Sequence, residues 1–282
     1  MPSVGVMSDQ LTVVLGGTGR TGRRVVEALQ RDGHPVRAAS RGGSGPGTVR
    51  FDWTDDDTWE AALTGATRLY LMAPDGTPVD PGFVARAVES GVRRIVLLSS
   101  GAVEEMGDQR LLDAERLVQD CGAEWTVLRP SWFDQNFDEG FFRPGVMAGE
   151  VVMPVGDLRQ AFVDAGAVAA VAAAALTRDG HAGQVYEVRG PEALTFDEAV
   201  ATIARVSGRR VRFVGDPGAY RDALTAAGQP GEVTEAELAA FAALRARGDD
   251  EPDDVVERLT GRPPTTFPDY AAAAAARGAW RD

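Results

Sequence analysis

Short apolar runs alternate with segments whose apolar positions recur at helical spacing through the first half of the chain. The run LTVVL is closed by the glycines of GGTGRTG and followed by the helical pattern RRVVEALQRDG, after which VRAAS reads as a second strand. TVRFD, RLYLMAP, RRIVLLSS and EWTVLRP continue the series, separated by the helical segments TWEAAL, FVARAVESG and QRLLDAERLVQDCG. Strands that are apolar throughout suit a parallel sheet covered on both faces. Strand and helix in regular alternation predict an α/β fold, a Rossmann-type doubly wound parallel sheet.

From Ser131 the texture changes to the aromatic loop SWFDQNFDEGFFRPG. A short strand EVVMPVG, a helix beginning at Asp164 and the strand QVYEVRG then return the chain to the sheet, and the remainder is mainly helical with one strand, VRFVG. The expected organisation is a Rossmann domain of residues 11–131 and 160–190, with a smaller C-terminal α/β substrate lobe of residues 132–159 and 191–282. The alanine run at 271–276 reads as helix rather than linker.

The glycines after the first strand fall at Gly16, Gly19 and Gly22, with Gly17 additional. In a strand-turn-helix the first makes the tight turn, the second lets backbone approach a diphosphate, and the third lets helix and strand pack closely. The helix starting near Thr21 aims its free N–H groups at the same anion. Gly16, Gly17, Thr18, Gly19, Arg20, Thr21 and Gly22 are therefore candidate dinucleotide contacts. The second strand ends in Ser40-Arg41, and no carboxylate lies between Gly33 and Phe51. An acidic residue there selects NAD through the ribose hydroxyl, whereas arginine pairs with the 2′-phosphate of NADP. NADPH is the expected cofactor.

Charge supports this reading. The first fifty residues carry seven arginines against three carboxylates, although the whole chain stands at −13. That overall acidity gives nucleic-acid binding little support. The single cysteine, Cys121, excludes internal disulfides, and the two histidines, His34 and His181, stand beside glycines between elements, so no metal site is expected. The start MPSVGVMSDQ lacks the pattern of a signal peptide, and no apolar run is long enough to span a bilayer. A cytoplasmic monomer or homodimer acting on a small molecule is expected.

Asp52, at the end of the third strand, is a candidate for the adenine amino group or, equally, a helix N-cap. Met72, Ala73 and Pro74 fall at the carboxyl edge of the fourth strand, beside a nucleotide by the switch-point rule. The aromatics of 132–142 either wall a flat ligand or form a packing cluster.

Taken together, GGTGRTGRRVV, VRAASR, RRIVLLSS, EWTVLRPSWFDQNF and GPEALTFDEAV closely resemble the NmrA-like atypical short-chain dehydrogenases/reductases. Within them the likeness is to the branch of festuclavine synthase and agroclavine dehydrogenase type reductases and their bacterial relatives. The resemblance implies an NAD(P)-binding domain and adds Ser99, Ser100, Pro130, Ser131, Trp132 and Phe133 to the cofactor contacts. Trp132, Phe133, Gln135, Asn136, Phe137 and Phe141 are the candidate substrate residues. The wider superfamily uses a Tyr-x-x-x-Lys pair, which this chain lacks because it contains no lysine; the corresponding stretch reads Leu111 to Glu115. Ser100 and Asp113 are the remaining candidate catalytic groups. Without a positioned acid, the acceptors that suit hydride delivery are iminium ions, quinones, azo compounds and other conjugated systems. A cyclic iminium or imine is the favoured acceptor and secondary metabolism the expected setting, with Asp134, Asp138 and Glu139 either stabilising its charge or lining a solvated loop. The rival expectation is an NADP-binding redox sensor without turnover.

Overall fold

The computed structural model describes residues 10–43 and 45–281. Most of the N-terminal decapeptide read above as lacking a leader thus lies outside the described residues. The strands are β1 (Leu11–Leu15), β2 (Val36–Ser40), β3 (Thr48–Arg50), β4 (Ala66–Leu71), β5 (Arg94–Leu98), β6 (Glu124–Pro130), β7 (Glu150–Val152), β8 (Arg159–Gln160), β9 (Gln184–Val188), β10 (Leu194–Thr195) and β11 (Arg212–Val214). The helices are α1 (Gly22–Arg31), α2 (Trp59–Leu63), α3 (Pro81–Glu89), α4 (Gln109–Asp120), α5 (Arg143–Ala148), α6 (Ala165–Thr177), α7 (Phe196–Ser207), α8 (Pro217–Ala226), α9 (Gly231–Arg247), α10 (Val255–Thr260) and α11 (Phe267–Ala276).

Seven strands form one sheet in the order β3-β2-β1-β4-β5-β6-β9. Parallel registers join β1 to both β2 and β4, so that Val13 stands between Arg37 and Leu69. The reversal of strand order at β1 and β4 makes the switch point of a doubly wound sheet, where such folds take ligands at the carboxyl ends of the strands. The apolar runs are buried as the parallel arrangement requires: Val13, Leu15, Leu69, Leu71, Ile95 and Leu97 share one core with Phe83 and Val84 of α3. Asp80 starts α3 by accepting from the N–H groups of Gly82 and Phe83, with Pro81 supplying a first residue that needs no partner.

The chain divides into two compact units. One comprises Met1–Ser99, Gln109–Arg129 and Val168–Tyr186; the other comprises Ser100–Asp108, Pro130–Ala167 and Glu187–Asp282. The division differs from the one expected from sequence in placing residues 100–108, 130–131, 160–167 and 187–190 in the second unit. The reason is local. Val163 donates to the carbonyl of Trp132, Asp134 donates back to Val163, and Gln135 accepts from the N–H of Ala165, tying 160–165 to the aromatic loop. The second unit also holds two small sheets, β8 with β10 and β7 with β11, and an aromatic core of Phe137, Phe142, Phe162, Phe196 and Phe267. Its helix α7 opens on a full capping box, Thr195 and Glu198 each closing the other's backbone N–H.

Candidate active site

The loop after β1 shows why each glycine stands where it does. Gly16 has φ +62°, and a Cβ there would sit 2.6 Å from the sulfur of Met72. At Gly17 a Cβ would meet that of Ala38 at 2.7 Å, and at Gly22 one would lie 2.2 Å from the carbonyl oxygen of Gly16. Gly19 differs. Among the described residues the only atom that its Cβ would meet within 4 Å is the Gly16 oxygen, at 3.1 Å, and the residue is exposed. Gly19 closes the turn by donating to Gly16 at 2.7 Å, and Arg23 donates to Gly19 at 3.1 Å as α1 begins. No acidic residue occupies the first turn of α1. Three glycines are thus fixed by the packing of the protein itself, while the fourth leaves bare backbone at a helix start, the shape and polarity that a dinucleotide diphosphate requires.

Ser40 ends β2, and its carbonyl accepts from both Gly43 and Phe51, folding the following loop back and leaving Arg41 exposed at the strand tip. Asp52 uses one oxygen to accept from the N–H and hydroxyl of Thr54, at 3.0 and 2.9 Å. Those bonds, and then the charges of Arg50 and Arg41, hold its carboxyl below the usual range. It builds a turn rather than capping a helix. Met72 and Ala73, half-buried, and Pro74, exposed, continue from β4 at the sheet's carboxyl edge.

The catalytic candidates fare differently. Asp113 lies on the outer face of α4, accepting from Gln109 at 2.7 Å and pairing with Arg116 at 2.8 Å, so it faces solvent and not the sheet edge. Glu115, two residues and some 200° further round the helix, is buried at 4 % exposure. It accepts from the hydroxyl of Ser99 at 2.5 Å and from Arg129 at 3.0 and 2.7 Å. Sequence reasoning missed this group because a glutamate within a helix reads as a solvated face until its partner, at the end of the next strand, is known. Ser100, in the second unit, is half-buried, its hydroxyl directed at the carbonyl of Gly101 at 3.2 Å.

Among the aromatic-loop candidates, Gln135, Asn136 and Phe137 are 2 %, 4 % and 0 % exposed. The amide of Gln135 donates to Asp164 at 2.7 Å and accepts from Ala165, while Phe137 packs on Phe142, Phe162 and Phe267. All three are buried within the second unit, Gln135 and Phe137 through these contacts. The packing reading applies to Phe137. Trp132 and Phe133 keep some surface and Phe141 is 58 % exposed. Trp132 is held by its indole N–H on Gln160 at 3.0 Å, with its ring 6.1 Å from that of Phe141. Pro130 is buried; Ser131 donates its hydroxyl to Asp250 at 3.0 Å.

Of the acidic residues of the loop, Glu139 is exposed whereas Asp134 and Asp138 are buried. Asp138 is buried against the hydroxyl of Tyr270 at 2.8 Å and pairs with Arg277 at 3.6 Å. Asp134 is fully buried, and among the described residues neither of its carboxyl oxygens has a hydrogen-bond partner. Burial first, then the charges of Asp164, Asp138 and Glu192, hold its carboxyl well above the usual range. The folded state therefore binds a proton that the unfolded chain releases above about pH 3.8, and stability from this group falls as pH rises towards the raised folded value. Asp134→Asn is expected to raise the melting temperature by about 2–10 °C at pH 8 and to change little at pH 4, on a penalty of about 1–3 kcal/mol. Thermal denaturation at the two pH values decides this; an equal shift at both would refute it.

A glycine-turned loop on β1, an open helix start and an exposed arginine at the tip of β2 define a dinucleotide-binding protein of the Rossmann class. The model of the family described as NAD(P)H-binding matches residues 16–179. The chain belongs to this NAD(P)H-binding family and is an NAD(P)H-binding oxidoreductase of reductase type. It is 38% identical to the (4-alkanoyl-5-oxo-2,5-dihydrofuran-3-yl)methyl phosphate reductase of Streptomyces griseus, covering 93% of this chain and 97% of the relative. It is 32% identical to the NAD(P)H azoreductase of Xenophilus azovorans, over 94% and 98% of the two chains. Identity to the agroclavine dehydrogenase of Claviceps fusiformis is 30%, over 93% and 96%, in keeping with the branch named from sequence. Among solved structures, an NADPH-dependent quinone oxidoreductase from Escherichia coli complexed with NADPH superposes with a TM-score of 0.76 at 22% identity, over 93% and 99%, a likeness of fold. Among the described residues no helix is long and apolar enough to cross a membrane, and no group of three or more metal-ligating side chains occurs.

Proposed function

We propose that the protein is an NADPH-dependent reductase that delivers hydride to the electron-poor carbon of a small conjugated or cationic acceptor. The carrying observation is the pairing of open backbone at Gly19 with the exposed guanidinium of Arg41, which fits a dinucleotide bearing an extra phosphate. NADPH, when bound, supplies the hydride. The chain's own part is to seat the diphosphate on the start of α1 and to hold the 2′-phosphate at Arg41; Trp132, Phe133 and Phe141 of the second unit offer an aromatic surface for an acceptor.

The acceptor class follows from what the chain does not offer. It contains no lysine, and among the described residues Asp113 points to solvent, Glu115 is engaged by Arg129 and Ser99, and the Ser100 hydroxyl is directed at the Gly101 carbonyl, so none of these candidates supplies a strong positioned acid for an alkoxide. Acceptors whose reduced form is stable without a positioned acid suit such a site. An iminium becomes a neutral amine. An alkene conjugated to two carbonyls becomes a delocalised enolate that water protonates. The Streptomyces griseus relative acts on an unsaturated lactone carrying an acyl group, which supports the conjugated arm.

The test is NADPH oxidation measured against an acyl-substituted unsaturated lactone, a cyclic iminium, a quinone and a simple aldehyde. Turnover of the first three classes with a rate that is level across neutral pH is expected. Turnover of the aldehyde alone, with an acid limb in the pH profile, would refute the acceptor class, and tight NADPH binding without turnover of any acceptor would favour the sensor. For the aromatic wall, Phe141→Ala is expected to raise KM for the acceptor about three- to tenfold, from the loss of a partly exposed ring contact of about 1 kcal/mol. NADPH affinity and melting temperature should stay as in the parent.

A further inference from the structure

Ser99, Glu115 and Arg129 form a buried chain that joins the ends of β5 and β6 through α4, within one unit. Arg129 meets Glu115 through two nitrogens, the fork geometry of guanidinium on carboxylate. The neighbours of Glu115 on the inner face of α4, Ala114 and Val118, are buried and apolar. Taking an ion pair out of water is costly, and a well-packed apolar residue of similar size at such a place is often neutral or stabilising. The pair is better explained by what it does to the serine.

A hydroxyl has one proton and two lone pairs. Ser99 has given its proton to Glu115 at 2.5 Å, so its other side offers lone pairs alone. Its place in the sheet says what meets them. Ser99 directly follows β5 at the carboxyl edge. The sheet runs β2-β1-β4-β5, with the diphosphate loop on β1 and the adenosine-side arginine after β2. A dinucleotide laid across the switch point then carries its nicotinamide half towards β4 and β5. We infer that Glu115 is a positioning residue which turns Ser99 into an obligate hydrogen-bond acceptor for a donor on the nicotinamide half of the cofactor, either the carboxamide N–H or a ribose hydroxyl. The inference rests on the NADPH reading above, and it removes Ser99 from the groups that can donate a proton to the acceptor.

The experiment is equilibrium titration of the full chain with NADPH and two counterparts, one with 3-acetylpyridine in place of nicotinamide, the other lacking a hydroxyl on the nicotinamide ribose. The parent is expected to bind one counterpart about three- to tenfold more weakly than NADPH, the value of one neutral hydrogen bond. Ser99→Ala, which leaves the Glu115–Arg129 pair in place, should abolish that discrimination, and the counterpart affected identifies the donor. Glu115→Gln offers Ser99 an amide that can donate to it, which frees the serine proton. It should shrink the discrimination and improve binding of the acetyl carbonyl relative to the parent. Ratios in Ser99→Ala equal to those of the parent for both counterparts would overturn the inference, whatever becomes of the folding of Glu115→Gln. Failure of the parent to bind NADPH at all would sink the underlying reading and this one with it, whereas tight NADPH binding with unchanged ratios sinks this one alone.

Discussion

Gly19→Ala is expected to fold with a melting temperature within a few degrees of the parent while losing NADPH affinity by about a hundredfold, equivalent to roughly 2.7 kcal/mol. The added methyl meets only the Gly16 carbonyl oxygen at 3.1 Å, which a shift of a few tenths of an ångström relieves, and no positive φ is required of the residue. Its direction is the exposed side of the loop, where a diphosphate must come within hydrogen-bond distance of backbone N–H groups. Gly22→Ala is the contrasting control. Its Cβ would lie 2.2 Å from the Gly16 oxygen and 3.0 Å from the Gly17 nitrogen, both backbone atoms that cannot yield without moving α1 off β1. That variant should lose stability as well as cofactor. Thermal denaturation alongside a fluorescence titration separates the two, and undiminished NADPH affinity in a folded Gly19→Ala would remove the diphosphate from the loop.

The contrast between these glycines also marks how far the sequence speaks. Spacing of the glycines after an apolar run is a local signal, and the turn expected at Gly16 and the close packing expected at Gly22 agree with their backbone geometry. The parallel strands were legible for the same reason: an apolar run such as RIVLL has no solvated face, and Arg94–Leu98 lies between two parallel neighbours. What spacing cannot carry is partnership across the fold. Glu115 and Asp113 sit two residues apart on one helix, and only Arg129 and Ser99, brought in by neighbouring strands, decide that the first is buried and the second exposed. In the aromatic loop the same holds for Gln135, whose amide looks like a ligand-binding group but closes on Asp164 and Ala165, thirty residues away along the chain. The boundary of the units was misplaced through this pairing too, because residues 160–165 follow the loop they bond to.

The missing lysine is the one compositional fact with a direct consequence for the reaction, and the structure sharpens it. A reductase of this class without Tyr and Lys must either find another acid or choose acceptors that need none. Each acid near the expected positions is accounted for by its partners: Asp113 by Arg116, Glu115 by Arg129, Asp138 by Tyr270 and Arg277, and Asp134 by an interior that keeps it protonated and covered. On the function proposed above, placement and exclusion of water would carry the rate, as where reactants are held in register rather than activated by proton transfer.

Cofactor preference provides the second large effect. Arg41→Ala is expected to weaken NADPH by about ten- to a hundredfold, the range for one charge-assisted hydrogen bond of about 1.5–3 kcal/mol, while NADH affinity changes less than about threefold. The guanidinium is exposed at the tip of β2, on a turn fixed by the two hydrogen bonds into the Ser40 carbonyl, so its removal should leave the fold alone. Arg41→Asp goes further, because a carboxylate at this place repels a 2′-phosphate yet accepts from a free 2′-hydroxyl, and it should invert the preference towards NADH. Binding of both cofactors to the parent and both variants, measured at low and moderate salt, decides the matter. The NADPH advantage of the parent should shrink as salt screens the exposed pair. Equal losses for NADPH and NADH in Arg41→Ala would take the phosphate away from this arginine and leave the choice of cofactor to residues elsewhere on the loop.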